Sequence, residues 1–342
     1  MKIIIDAMGG DNAPGEIVKG ALQASESLGA DIVLCGRGED VLRVIEGFGL
    51  KDIPRGVEIV HASEVITMED DPATAIRIKR DSSMAVSLNL LYDGRGDALV
   101  SAGSTGALLS GATLIVKRVR GIRRAALAPF IPNSAGGFIL IDCGANTECT
   151  PEYLLQFAFM GSYYAEDVLK IGAPRIGLLN NGAEPGKGTP LQIDTYQLLE
   201  KARSDGFINF AGNVEAQEIL KGACDVLVCD GFTGNIFLKS IEGMASFVMS
   251  EVKGIYKKNL KTKFSALLIK KDLYGLRKKM DPDTIGGTIL LGISKPVIKA
   301  HGSSGAAAIC GAVGQAMAAA KADVPARLRD NIERMKIEEE KY

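Results

Sequence analysis

Two stretches of this 342-residue chain carry the same chemical pattern. Asp97–Ser110 reads DALVSAGSTGALLS, and Asp225–Ser240 reads DVLVCDGFTGNIFLKS. At one constant offset Gly103 meets Gly231, Thr105 meets Thr233 and Gly106 meets Gly234, with Ser104 inside the first loop and Asn235 closing the second. A short apolar strand that enters Gly-x-Thr-Gly and leaves as a helix presents free backbone N–H groups at the helix start. Such a place suits an anion, and glycine lets a ligand come close to the backbone. Either loop alone reads first as a tight strand–helix turn; the match between them favours one polar cleft.

Other loops add side chains to that cleft. DAMGGDNAP supplies Gly9, Gly10 and Asp11, DCGAN supplies Asn146, and KAHGSSG supplies His301. In NNGAEPGKGTP, Lys187 stands between two glycines, a position that faces solvent or grips an anion. Its spacing misses GxxxxGK[ST], and neither the first loop nor GRGED matches GxGxxG, so no nucleotide fingerprint is present. In AIRIKR, Arg77 and Lys79 sit two apart and cannot share one helix face, so one of them is expected to turn toward a cleft or an interface.

These loops need elements to hold them. Lys2–Ile5, Ile32–Cys35, Val57–His61, Phe138–Ile141, Arg175–Leu179, Ile208–Phe210, Val226–Cys229 and Pro296–Lys299 read as strands. Helical stretches alternate with them, including Gly15–Gly29, Pro151–Tyr164 and one starting at Val214. That alternation predicts one mostly parallel sheet in an α/β/α sandwich, a single α/β domain over 1–342. The ligand crevice of such a sheet lies outside the carboxyl ends of its strands, where the polar loops fall.

Composition narrows the class. The chain is 46% hydrophobic and 24% charged with net charge −1, an ordinary globular balance that argues against a general nucleic-acid binder. Six cysteines without a CxxC pair read as buried thiols of a reducing compartment. With two histidines, a zinc site is not expected, nor any other metal or cofactor. The N-terminus does not read as a signal peptide, and a cytoplasmic protein is expected.

One segment breaks the alternation. Residues 246–283 read as a helical insertion, and between Glu251 and Met280 ten basic residues face two acids. Phe264, Leu267, Leu268 and Lys271 follow i, i+3, i+4, i+7. A basic amphipathic segment over 253–279 suits an anionic membrane surface or an acidic partner; the plain alternative is a helical hairpin packed on its own subunit or a twin.

Taken in order from Ile3 to about Gly305, DAMGGDNAP, MEDDPATAIRIKRDSSM, SAGSTGALL, DCGAN, LLNNG…GKG, DVLVCDGFTGN and KAHGSSG resemble the bacterial phosphate acyltransferase family, PlsX. The resemblance implies transfer of a fatty acyl group from acyl carrier protein to inorganic phosphate, giving acyl phosphate for phospholipid synthesis. It implies a fold of the isocitrate/isopropylmalate dehydrogenase kind, a homodimer, and a cytoplasmic enzyme working at the membrane surface. It also implies Lys187 and Asn235 as the catalytic pair, with an oxyanion met by Asn235 and loop amides. Ser104 departs from the asparagine some members carry, which lowers the weight on that side chain. The basic run Arg118, Arg120, Arg123 and Arg124, or the 253–279 segment, is expected to meet the acidic carrier. Rivals are an isocitrate-type oxidoreductase, which the missing nucleotide fingerprint opposes, a short-chain phosphotransacetylase using coenzyme A, and a non-enzymatic membrane-surface scaffold.

Overall fold

The computed structural model describes residues 1–271, 275 and 286–336. The chain opens with β1 (Lys2–Asp6), α1 (Gly15–Leu28), β2 (Asp31–Gly36), α2 (Gly38–Gly47) and β3 (Val57–His61). Then come α3 (Ala75–Ile78), α4 (Ser83–Tyr92), β4 (Ala98–Ser101) and α5 (Thr105–Gly111), which runs on as a π-helical turn, Ala112–Val116. The middle holds β5 (Ala126–Ala128), β6 (Phe130–Ile131), β7 (Phe138–Ile141), α6 (Pro151–Asp167), β8 (Arg175–Asn180), α7 (Pro190–Ser204), β9 (Asn209–Glu215) and α8 (Ala216–Ile219). The rest is β10 (Val226–Val228), α9 (Gly231–Lys257), α10 (Leu260–Leu268), β11 (Thr288–Leu291), β12 (Val297–Lys299), α11 (Ala306–Ala322) and α12 (Val324–Asp330).

The strands form two sheets where the alternation predicts one. The larger has the order β3-β2-β1-β4-β12-β11-β5, the smaller β6-β7-β10-β8-β9. Both are mostly parallel; β11 runs antiparallel to β12 and β5, and β6 antiparallel to β7. The central strands are unbroken Ile, Leu and Val runs because helices cover both faces, as at Ile3–Ile5, Phe138–Ile141 and Val226–Val228, all 0% exposed. The sheets meet where β5 and β6 follow each other across Pro129, so one short extended segment edges both. Buried side chains of both sheets join the same core clusters.

Helix packing follows from composition. α6 is buried continuously from Leu154 to Ala165, as expected of a helix apolar all round. α1 lies against α11 so closely that a Cβ on Gly20 would sit 2.5 Å from the Ala306 carbonyl oxygen.

Four local expectations change. Strand β9 runs through Gly212-Asn213 to Glu215, because Ala211 is an extra residue in its pairing with β8 and Gly212 takes φ +96°. A helix from Val214 is therefore displaced to Ala216. The helix after Pro72 is one turn, α3, and Lys79 lies beyond it. Ser246 is no boundary, since α9 runs unbroken from Gly231 to Lys257. The apolar face of α10 ends with the helix at Leu268, short of Lys271. Asp272, Leu273, Tyr274, Leu276, Arg277, Lys278 and Lys279 of the basic segment lie outside the described residues. Among the described residues no helix is long and apolar enough to cross a membrane.

Candidate functional site

Two buried aspartates at strand ends organise the loops. Asp6 ends β1, is 1% exposed, and accepts the Ser101 hydroxyl proton at 2.7 Å from the neighbouring end of β4. Burial pushes its carboxyl pKa up. Gly9 is required there: a Cβ would stand 2.6 Å from Asp6 Oδ2 and 2.7 Å from the Gly103 nitrogen. The loops after β1 and β4 thus touch backbone to backbone. Gly10, at φ +103°, turns the chain so that Asp11 N–H donates to the Gly302 carbonyl at 2.8 Å. Asn12 Nδ2 donates to the Ser303 carbonyl at 3.0 Å, tying in the loop after β12. The His301 ring is exposed on that loop, and its Nδ1 lies 2.9 Å from the Ser303 hydroxyl.

Lys299, the last residue of β12, is a functional candidate that the sequence reading passes over. Its ammonium donates to the carbonyls of Ala102 (3.4 Å) and Ala300, bridging two of these loops. Burial pulls its pKa down to about 8, against the attraction of Asp11 and Asp6. A cation closing the apolar strand PVIK at its carboxyl end was the available signal.

Asp142 plays the matching part after β7. It is 0% exposed and accepts from Leu127 N (2.8 Å), Ala145 N (3.0 Å), Asn146 N (2.7 Å) and Asn146 Nδ2 (3.0 Å). Burial raises its pKa as well. Asn146 Nδ2 also donates to the Ala125 carbonyl at 2.8 Å, so the side-chain donors of Asn146 are occupied in holding the loop.

The second Gly-x-Thr-Gly stretch differs from the expected open loop. It is the first turn of α9, capped by Asp230, which accepts from Thr233 N (2.9 Å) and Thr233 Oγ1 (2.7 Å). Gly231 N–H donates to the Asn146 carbonyl at 2.7 Å. These amides are taken by the protein itself, and a carboxylate stands where an anion was expected. Asp230 and the Asn146 carbonyl decide this between them, because an acidic N-cap and a neighbouring carbonyl compete for the same N–H groups. At Gly234 a Cβ would fall 2.0 Å from the Asp142 carbonyl oxygen, so α9 starts pressed against the Asp142 loop. That contact carries Asn235, half-buried, to Gly144, where a Cβ would lie 3.7 Å from Asn235 Cγ. Among the described residues the Asn235 side-chain amide has no hydrogen-bond partner.

The first stretch keeps more of its expected form. Gly103 N–H donates to Ser101 Oγ at 3.1 Å, whereas Ser104, at the N-cap of α5, gives no side-chain cap. Thr105 is exposed at the helix start and Gly106 lies against Pro72. Between α5 and the Asp142 loop opens a cavity of ≈ 150 Å³ that includes Arg118, Arg124 and Asn146.

Lys187 lies on the loop after β8, whose parallel neighbour β10 separates it from β7. Its carbonyl accepts from Asn180 Nδ2 at 3.0 Å, and its side-chain stem lies over Gly182. Its ammonium is exposed and unpaired among the described residues. Lys79 is otherwise engaged: it donates to Asp70 at 2.6 Å and to the Val65 carbonyl at 2.9 Å, and this pairing is the main reason the Asp70 pKa falls. The turn at Asp70 captures Lys79 within its own segment. Arg77 is exposed on α3. The structure therefore joins Gly9, Gly10, Asp11, Gly103 and His301 in one cluster, and Asn146, Gly231, Thr233, Gly234 and Asn235 in another.

A family profile described as "Fatty acid synthesis protein" matches residues 1–327. A phosphate acyltransferase from Thermoanaerobacterium thermosaccharolyticum is 46% identical, over 97% of this chain and 97% of that protein. Another, from Alkaliphilus oremlandii, is 49% identical over 93% of each. Among solved structures, a phosphotransacetylase from Streptococcus pyogenes superposes with TM-score 0.66 at 17% identity, over 94% of both chains. A protein assigned as a 4-hydroxythreonine-4-phosphate dehydrogenase from Salmonella typhimurium gives 0.54 at 13% identity, over 93% of this chain and 98% of that one. At such identities these two structures speak to the fold alone.

Proposed function

We propose, from the premise that the chain belongs to the fatty acid synthesis protein family, that it is a phosphate acyltransferase moving a long-chain acyl group from acyl carrier protein to inorganic phosphate. Relatives at 46% and 49% identity carry the name phosphate acyltransferase, which supports the reaction class. The observation that carries the site is a division of labour at the strand ends. Asn146, Thr233 and Lys79 spend their donors on the protein, while Asn235 and Lys187 keep theirs.

In this reading a phosphate oxygen attacks the thioester carbonyl carbon. The carbonyl oxygen becomes an oxyanion, and Asn235 Nδ2, held at Gly144, is the donor aimed at it. The C–S bond then breaks, acyl phosphate leaves, and the carrier's thiolate takes a proton from solvent. Lys187 screens the charge of the attacking phosphate. Phosphate is already a nucleophile and a thiolate leaves readily, so positioning and electrostatics supply the rate.

The same reading assigns partners. Exposed Phe264, Leu267 and Leu268 on α10, beside Lys253, Lys257, Lys258 and Lys261, suit an anionic bilayer surface. Exposed Met244, Phe247, Val248 and Ile255 on α9 suit a twin helix in a homodimer. This reading makes the protein a cytoplasmic enzyme that docks on membranes.

The test compares palmitoyl-carrier protein with acetyl-coenzyme A as donors for wild type, Lys187→Ala and Asn235→Ala. The proposal expects the long-chain donor to be preferred and each variant to form acyl phosphate at least about tenfold more slowly with its circular dichroism unchanged. Preference for acetyl-coenzyme A favours the short-chain rival; near-normal rates in both variants remove the assigned roles.

A further inference from the structure

The cavity between α5 and the Asp142 loop gathers two guanidinium groups, with the Asp142 carboxylate one layer behind its wall and held by Asn146 at 3.0 Å. Arg118 and Arg124 stand at it, Thr113 adds a hydroxyl, Leu109 and Ala125 give apolar walls, and no carboxylate residue lines it. Some other arginines are matched to carboxylates, Arg175 to Asp225 at 2.9 Å, Arg123 to Glu152 at 3.0 Å, and Arg327 to both Glu166 and Asp167, while others such as Arg77 and Arg120 are not, among the described residues. Arg118 and Arg124 have no carboxylate partner among the described residues. Each is nonetheless held in place. Arg118 forms a backbone bridge with Ile293, and the Arg124 guanidinium lies 5.5 Å from the Tyr153 ring centroid, a contact that orients it without neutralising it.

A guanidinium presents a planar fork that fits phosphate oxygens two at a time. A volume of ≈ 150 Å³ is roughly five times one water's share of the liquid, room for a tetrahedral anion. The cavity shares Ala145 and Asn146 with the Asp142 loop, against whose Gly144 the Asn235 side chain rests.

Taking the chain as a phosphate acyltransferase, we propose that the Arg118–Arg124 cavity seats a phosphate group of a substrate, with inorganic phosphate as its expected occupant. The other source of the same chemistry is the phosphodiester on the arm of a carrier-bound donor.

Binding of inorganic phosphate to the full chain, with no donor present, is measured by isothermal titration for wild type, Arg118→Met, Arg124→Met and Arg124→Lys. KM values are then taken for phosphate and for two donors, acyl-carrier protein and acyl-N-acetylcysteamine, which lacks the phosphodiester. The expected result is a phosphate Kd raised about tenfold or more in both Met variants, with a smaller rise in Arg124→Lys, which keeps the charge and loses the fork. Unchanged phosphate binding with a KM raised for acyl-carrier protein and not for the N-acetylcysteamine donor supports the cavity as a phosphate seat and gives it to the donor's arm. Unchanged constants throughout, in variants with wild-type circular dichroism, overturn the proposal. The titration needs no turnover, so a failure of the acyltransferase reading would leave this result readable.

Discussion

Lys299 shows how a single residue ties stability to pH. Its ammonium sits among carbonyls at the end of β12 with a pKa of about 8, below the ordinary 10.5. Below pH 8 the folded protein holds this charge at a desolvation cost that the unfolded chain does not meet. As pH rises from 8 toward 10.5 the folded group is neutral while the unfolded one is still protonated, so this contribution stabilises the fold progressively. From pH 7.5 to 9.5 the gain is about 2 kcal/mol. Urea midpoints at the two pH values should therefore show wild type gaining on Lys299→Met; parallel pH dependence in both proteins would contradict the assignment. Residues of this kind are hard to read from sequence. Glycines and Lys187 advertise themselves by composition, whereas the occupied donors of Thr233 and Asn146 depend on Asp230 and Asp142 across separate loops. Lys79 pairs with Asp70 from within one segment, yet only the folded turn shows which of its neighbours claims it.

At the scale of elements, α9 is the part on which the site depends. Its start is fixed by Asp230 as N-cap and by Gly234 against the Asp142 carbonyl. Asp230→Ala should cost about 1 kcal/mol through loss of the cap. Gly234→Ala should cost more, about 3 kcal/mol, because a methyl group cannot occupy a point 2.0 Å from a backbone oxygen. Thermal melts with activity assays check both, and Gly234→Ala should lose turnover beyond its loss of stability since it displaces Asn235. Equal activity per folded molecule would break the link between helix placement and chemistry. The longer apolar strands were legible because covered parallel strands are continuously hydrophobic, as along Ile32–Cys35 in Asp31–Gly36. The short antiparallel pieces β5, β6 and β11 were not, since two to four residues carry little pattern and Pro129 interrupts ALAPFIP. Of these, β5 and β6, on either side of Pro129, edge the two sheets that replace the expected single one.

For the whole molecule, α9 leaves the Asp142 loop and leads into α10, whose Phe264, Leu267 and Leu268 are 63%, 66% and 70% exposed. Apolar side chains so exposed beside lysines should hold the protein on anionic vesicles. The double variant Phe264→Glu, Leu268→Glu should sediment with them several-fold less than wild type; equal retention removes α10 from membrane docking. Transfer of an acyl group to phosphate at the strand ends is tested most directly with labelled phosphate. Incubated with long-chain acyl-carrier protein, wild type should move label into a hydroxylamine-sensitive acyl phosphate and release one carrier thiol for each product, and Asn235→Ala should do so at least about tenfold more slowly. Label that stays inorganic while the thioester remains intact would contradict the account.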